Sequence, residues 1–157
     1  MIFPDATTHE AADIVSISRL AACYSEAICR GAIHEAVQVY TPEGVLSSST
    51  TEDAVGYAAI ERTIKKAVEA FEFVYNTTIP GVIDVDGDRA RARFQVTELA
   101  KRHDGTTLHF LGTYDDELQR GPDGWRFTRR TLHGMAMGRT DAFSRSRTHP
   151  IPPPPAL

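Results

Sequence analysis

The 157 residues predict an α+β domain: helices gathered in the first half, then a meander of long strands. Three observations carry this. Apolar residues recur at helical spacing from Ile14 to Ile28 and again from about Val55 to Glu72. Past Phe73 the period switches to strict alternation, clearest in RARARFQVTELAK. Asp-Gly and Gly-Pro-Asp-Gly turns then separate the strands. An alternating strand has one buried and one wet face, which suits an antiparallel sheet.

Composition sets bounds. With 41% hydrophobic and 24% charged residues the chain reads as an ordinary globular domain, long enough for one core. A net charge of −4 argues against nucleic acid as a partner. No run of apolar residues reaches membrane-spanning length, and the first residues lack the pattern of a secretion signal, so a cytoplasmic protein is expected. Cys23 and Cys29 stand six apart on a predicted helix, a spacing that suits neither a disulfide nor a metal. No metal and no cofactor are expected.

Residues 1–9 read as an N-terminal arm. Thr7 and Glu10 fit a capping box, so the first helix starts near Thr8. Its stripe is Ile14, Ile17, Ala21, Tyr24 and Ile28, and Gly31 closes it. A short helix, 32–39, and a turn at 40–44 lead to a strand, 45–48. The polar run SSSTTED reads as a loop. The next helix buries Ile60, Ile64, Ala67, Val68 and Phe71. An extended stretch, 74–85, is interrupted by Pro80-Gly81. Strands follow at 89–101, 107–119 and 125–137. On the first of these Ala90, Ala92, Phe94 and Val96 face inward. Residues 139–157 form a proline-rich tail, extended or disordered. The domain proper is 10–138.

The last strand holds an ambiguity of facing. Strict alternation from Trp125 puts Phe127, Arg129, Thr131 and His133 together. A bulge at the double arginine would instead turn Arg130, Leu132 and Gly134 inward. A buried guanidinium needs an acidic partner; Glu26, Glu98 and Asp116 are candidates. His9, His34, His103 and His149 read as solvated. His109 and His133 lie in strands, where an isolated histidine is more often structural than a base.

Three stretches, IDVDGDRARARF, the G-x-Y of Gly112 to Tyr114, and the D-G-W-R-F-x-x-R of Asp123 to Arg130, resemble the SnoaL-like proteins of the nuclear transport factor 2-like superfamily. The look is nearest the scytalone dehydratase and hexachlorocyclohexane dehydrochlorinase branch. The resemblance implies a curved antiparallel sheet wrapped around the N-terminal helices, a cone with an apolar pocket, and a change of face after Phe127 that puts Arg130, Leu132 and Gly134 towards that pocket. It also implies a homodimer, formed through the open face of the sheet, and a small apolar or aromatic ligand. In that branch a histidine acts as base and an aspartate orients it. Aligned on IDVDGD, the histidine position falls at Asn76, or at Tyr75 with a one-residue slip. The aspartate position falls near Cys29 or Arg30. Neither partner is present, and an amide or an ordinary phenol is a poor base near neutral pH.

Tyr75, Asn76 and Arg130 are therefore the candidate catalytic residues, and Tyr24, Phe94, Phe110, Tyr114, Leu132 and His133 the candidate pocket lining. Two functions are expected. One is a cofactor-independent lyase, isomerase or cyclase that removes a proton and stabilises an enolate with tyrosine and asparagine donors. The other is a non-catalytic ligand-binding or accessory subunit, such as the structural small subunit of a ring-hydroxylating dioxygenase.

Overall fold

The computed structural model describes residues 8–152 except 142, 144 and 150. Thr7, half of the expected capping box, lies outside them. Three helices, α1 (Thr8–Arg30), α2 (Ile33–Val37) and α3 (Tyr57–Val68), accompany six strands: β1 (Tyr40–Ser48), β2 (Thr51–Val55), β3 (Phe71–Asp86), β4 (Arg89–Arg102), β5 (Thr107–Gly121) and β6 (Gly124–Arg139). The strands form one sheet in the order β2-β1-β6-β5-β4-β3.

Helix α1 ends where its sequence says it must. Gly31 takes φ 71°, its N–H bonds the Ile28 carbonyl, and the Ala32 N–H reaches back to Ala27. This left-handed glycine closure satisfies carbonyls the helix would leave open. The apolar stripe of α1 then faces the sheet. Ile17, Ala21, Tyr24, Ala27 and Ile28 are buried in one core with Val37, Tyr40, Ile60, Phe94, Val96, Tyr114, Leu118, Trp125 and Phe127. Polar contacts set the position of α1 along β3. Ser25 and Thr78 share a hydrogen bond of 3.0 Å, and the Cys29 thiol donates to the Asn76 carbonyl at 3.2 Å.

The structure differs from the sequence reading at three elements. The polar SSSTTED segment contains a strand, β2, whose Ala54 and Val55 pair with Leu46 and Val45. Its exposed Thr51, Glu52 and Asp53 suit an edge strand whose outer faces stay wet. Strand β1 begins at Tyr40 and runs parallel to β6, so the otherwise antiparallel sheet has one parallel pair. Helix α3 stops at Val68, because Phe71 is already paired with Arg102 as the start of β3.

Alternation holds along β4. Ala90, Ala92, Phe94 and Val96 face the core, and Arg89, Arg91, Arg93 and Gln95 face out. On the outer face Arg93 grips Asp115 through two 2.6 Å hydrogen bonds. Two described residues beyond β6 pack back onto the domain. Phe143 meets Phe73 edge-on, and Thr148 donates to the Glu72 carboxylate at 2.6 Å.

Candidate functional site

The ambiguity in the last strand is settled by a bulge one residue before the double arginine. Leu118 pairs with Phe127 and Glu117 with Arg129, which leaves Thr128 as the extra residue. The Thr128 hydroxyl donates to the Glu117 carbonyl at 3.0 Å. The bulge reverses the facing of everything that follows. Arg129 turns outward to Asp53 at 2.9 Å, and Arg130 turns inward and is 0% exposed.

A buried guanidinium must be neutralised and hydrogen-bonded. Asp116 on β5, itself buried, does both: Nε donates to Oδ1 at 2.9 Å and Nη2 to Oδ2 at 2.8 Å. Three rings complete the enclosure. The Arg130 guanidinium carbon lies 4.1 Å from the ring centre of Phe127, 4.2 Å from Tyr114 and 4.6 Å from Tyr24. Burial pulls the guanidinium towards neutrality, and the facing carboxylate more than restores it, so Arg130 stays charged. Burial pushes Asp116 up while Arg130 pulls it down. The two-pronged geometry favours the ionised pair.

Arg130 is nevertheless not saturated. Its Nη1 has no hydrogen-bond partner. Among the described residues two other buried side-chain atoms share this state, Tyr40 Oη and Asn76 Oδ1. Tyr40 joins the same aromatic cluster, 6.3 Å from Tyr24 and 5.7 Å from Phe127 between ring centres. Tyr24, Tyr40 and Tyr114 are all held above the ordinary phenol value, chiefly by burial. They are neutral donors at physiological pH.

Asn76 projects inward from β3, its backbone clamped by Cys29. Its side-chain Nδ2 donates to Glu98 Oε1 at 2.6 Å, across the β3–β4 pair that sets the two residues opposite each other. Glu98 is half-buried, so solvent still reaches it. Burial pushes its carboxyl above the usual glutamate value, and the Asn76 amide holds it partly back. Both Tyr24 and Tyr114 feel the Arg130 cation and the Glu98 anion. The interior polar residues thus form one group, from Arg130 through the tyrosines to Asn76 and Glu98.

Of the residues singled out in the sequence, Asn76 and Arg130 lie in this interior, with Tyr24, Phe94 and Tyr114 buried beside them. Phe110 and Leu132 are half-buried against the core. The Phe110 ring occupies the space where a side chain at position 112 would stand, so Gly112 admits it: a Cβ there would meet ring carbons at 2.8 Å. Two expectations are corrected. Tyr75 is 47% exposed on the opposite face, because its neighbour Asn76 takes the inward position and adjacent residues on a strand cannot share a face. His133 is also exposed and lies 3.5 Å from Asp115 on the outer face. It follows Arg130 by an odd number of residues, so the same bulge that buries the arginine expels it. Glu98 and Asp116 appeared in the sequence only as possible partners for a buried arginine. Tyr40 was missed, since a turn-forming YTPEG hid that it begins a strand.

A family model for the SnoaL-like domain matches residues 9–131. An uncharacterized protein of Mycobacterium tuberculosis is 28% identical over 124 residues, 77% of this chain and 84% of the relative. Solved structures share the fold. An aromatic ring hydroxylase candidate from Novosphingobium aromaticivorans superposes with a TM-score of 0.76 at 24% identity, over 83% of this chain and 94% of that one. A scytalone dehydratase candidate from the same organism gives 0.76 at 18% identity, over 88% and 97%. A hexachlorocyclohexane dehydrochlorinase gives 0.77 at 10% identity, over 85% and 92%. With four-fifths of its length under that model and a helix-filled curved sheet to match, the chain belongs to the SnoaL-like domain family.

Proposed function

We propose that this chain is a cofactor-independent lyase or isomerase of a small cyclic or aromatic apolar substrate bearing one oxygen function. The reading is carried by the three buried polar atoms without a protein partner, Tyr40 Oη, Asn76 Oδ1 and Arg130 Nη1. Leaving such atoms unpaired costs about 1–3 kcal/mol each, so a fold keeps them where a ligand or bound water completes them. The walls around them are aromatic. A phenol and a guanidinium N–H are donors suited to a carbonyl that becomes an enolate. The structural relatives named for a dehydratase and a dehydrochlorinase are consistent with elimination chemistry on this fold.

The second reading is a non-catalytic binding or accessory subunit. It is favoured by the asparagine where the branch has its histidine, and by how tightly Asp116 and three rings enclose Arg130. In either reading the protein is placed in the cytoplasm, in keeping with its two free cysteines; among the described residues no helix is long and apolar enough to cross a membrane. A homodimer would cover the outer sheet face, where Tyr75, Ile79, Val82 and Leu111 are exposed.

The test is native mass spectrometry of the purified protein, followed by titration with cyclic ketones and phenols while the tyrosine ring resonances are observed by NMR. Ligand-dependent shifts confined to Tyr24, Tyr40 and Tyr114 are expected. A ligand-free protein whose interior tyrosines ignore the whole panel would sink the enzyme and the ligand-binding readings and leave the accessory, structural role. The same spectra report whether the chain is dimeric.

A further inference from the structure

Among the described residues, Glu98 is the interior carboxylate for which no ion pair is formed. Asp116 is locked to Arg130, and Asp13 is held by Arg120 at 2.7 Å and by the Trp125 indole at 3.0 Å. Glu98 has one neutral hydrogen-bond partner, the Asn76 amide. The orientation of that amide is informative. Nδ2 faces the carboxylate, and Oδ1, buried, accepts no hydrogen bond. An amide turned this way supports the ionised carboxylate and leaves the other Glu98 oxygen free to accept a proton. Asn76 cannot itself wander, because Cys29 fixes its backbone on both sides.

We propose that Glu98 is the general base of this pocket and that Asn76 is its positioning residue. The inference rests on the lyase or isomerase reading above. The step is proton transfer from carbon. The C–H bond next to the substrate carbonyl breaks, its proton goes to a Glu98 oxygen, and the electron pair moves to the carbonyl oxygen, held by the Tyr40 hydroxyl and Arg130 Nη1. The enolate then takes the proton back at another carbon, or expels a leaving group. A carboxyl raised by burial is the better base for this, since base strength follows pKa. Its half-buried place gives the proton a route out.

The full chain can be tested without its natural substrate. 5-Nitrobenzisoxazole is a small flat aromatic that opens when a base removes its ring C–H proton; the N–O bond breaks and a coloured phenolate forms. Wild-type protein is expected to catalyse this saturably and faster than acetate at the same pH. Glu98→Gln should lose at least about 100-fold, the lower bound for a positioned base, and Glu98→Asp should retain part of the rate. Asn76→Leu removes the amide that stabilises the carboxylate, so the acid limb of the pH–rate profile should move to higher pH; a merely structural asparagine would leave that limb in place. If Glu98→Gln proves unstable in urea, the Glu98→Asp rate and the shifted limb decide. Turnover unchanged in Glu98→Gln overturns the proposal but leaves the pocket reading intact. Saturable binding of the probe without turnover does the same. Neither binding nor turnover overturns both.

Discussion

Two inward carboxylates, Asp116 on β5 and Glu98 on β4, have been given opposite tasks by their surroundings. Asp116 is fully buried and grips Arg130 with both oxygens. Glu98 is half-buried and meets only a neutral amide. Burial pushes both carboxyls up, but only Asp116 has a cation to offset it. The first is a structural brace, with its proton chemistry suppressed. The second keeps a carboxylate whose ionisation is still negotiable.

The comparison breaks most visibly if the brace is cut. Arg130→Ala leaves Asp116 buried and unpaired, and about 3–5 kcal/mol of stability should be lost in urea unfolding. The double change Arg130→Met with Asp116→Leu should recover most of that, because an apolar pair needs no neutralising. A loss below about 1 kcal/mol for the single change would show that the pair is not the brace described here. Asn76→Leu comes next. It strands the Glu98 carboxylate without its donor, and about 1–3 kcal/mol should go, the cost of an unmet buried hydrogen bond.

Glu98 itself should behave in the reverse sense. Its folded value is raised, so the unfolded chain gives up this proton at lower pH than the folded one. Its contribution is fully present below the unfolded glutamate value and is lost as pH rises through the folded one. Glu98→Gln carries no such penalty and should be the more stable protein at neutral pH, the advantage vanishing near about pH 4. Equal stability at both pH values would mean that the carboxyl is not perturbed. Asp13 gives the mirror case with a smaller effect. Its hydrogen bonds to Arg120 and Trp125 hold it below the usual aspartate value. That stabilisation is present above the unfolded value and is lost as pH falls through the folded one. Asp13→Asn should cost under about 1 kcal/mol at neutral pH, since Arg120 remains partly exposed. The difference should disappear in acid.

Much of this was legible in the chain, and what was not has identifiable causes. The helical stripe of α1 and the alternation of β4 are local patterns, and they name Tyr24, Phe94 and Val96 as interior residues directly. Strand parity at Arg130 is not local. It depends on Thr128 being the extra residue opposite Glu117 and Leu118, and nothing in WRFTRR marks that threonine. The resemblance supplied the reversal that alternation alone could not. The β2 strand was hidden because an edge strand with wet faces looks like a polar loop. The Asn76–Glu98 contact is a cross-strand pairing of residues 22 apart, fixed by a register that the turn at 86–88 and an irregularity between Ile79 and Val82 set together. From the sequence, Glu98 could be named only as one of three acids.

The smallest expected effect bears on that same one-residue register. Tyr75 and Asn76 are adjacent, and the sequence alone left either as the inward residue. The structure turns Asn76 inward at 4% exposed and Tyr75 outward at 47%. Tyr75→Phe removes a hydroxyl that faces water, so stability should change by less than about 0.5 kcal/mol, as for other surface substitutions. Ring opening of 5-nitrobenzisoxazole should be unchanged in rate and in pH profile. Asn76→Leu, one residue on, should alter both. If Tyr75→Phe slowed the reaction while Asn76→Leu did not, the strand would have to be slipped by one residue. Every inward side chain on β3 would then trade places with its neighbour, Val74 and Thr78 included.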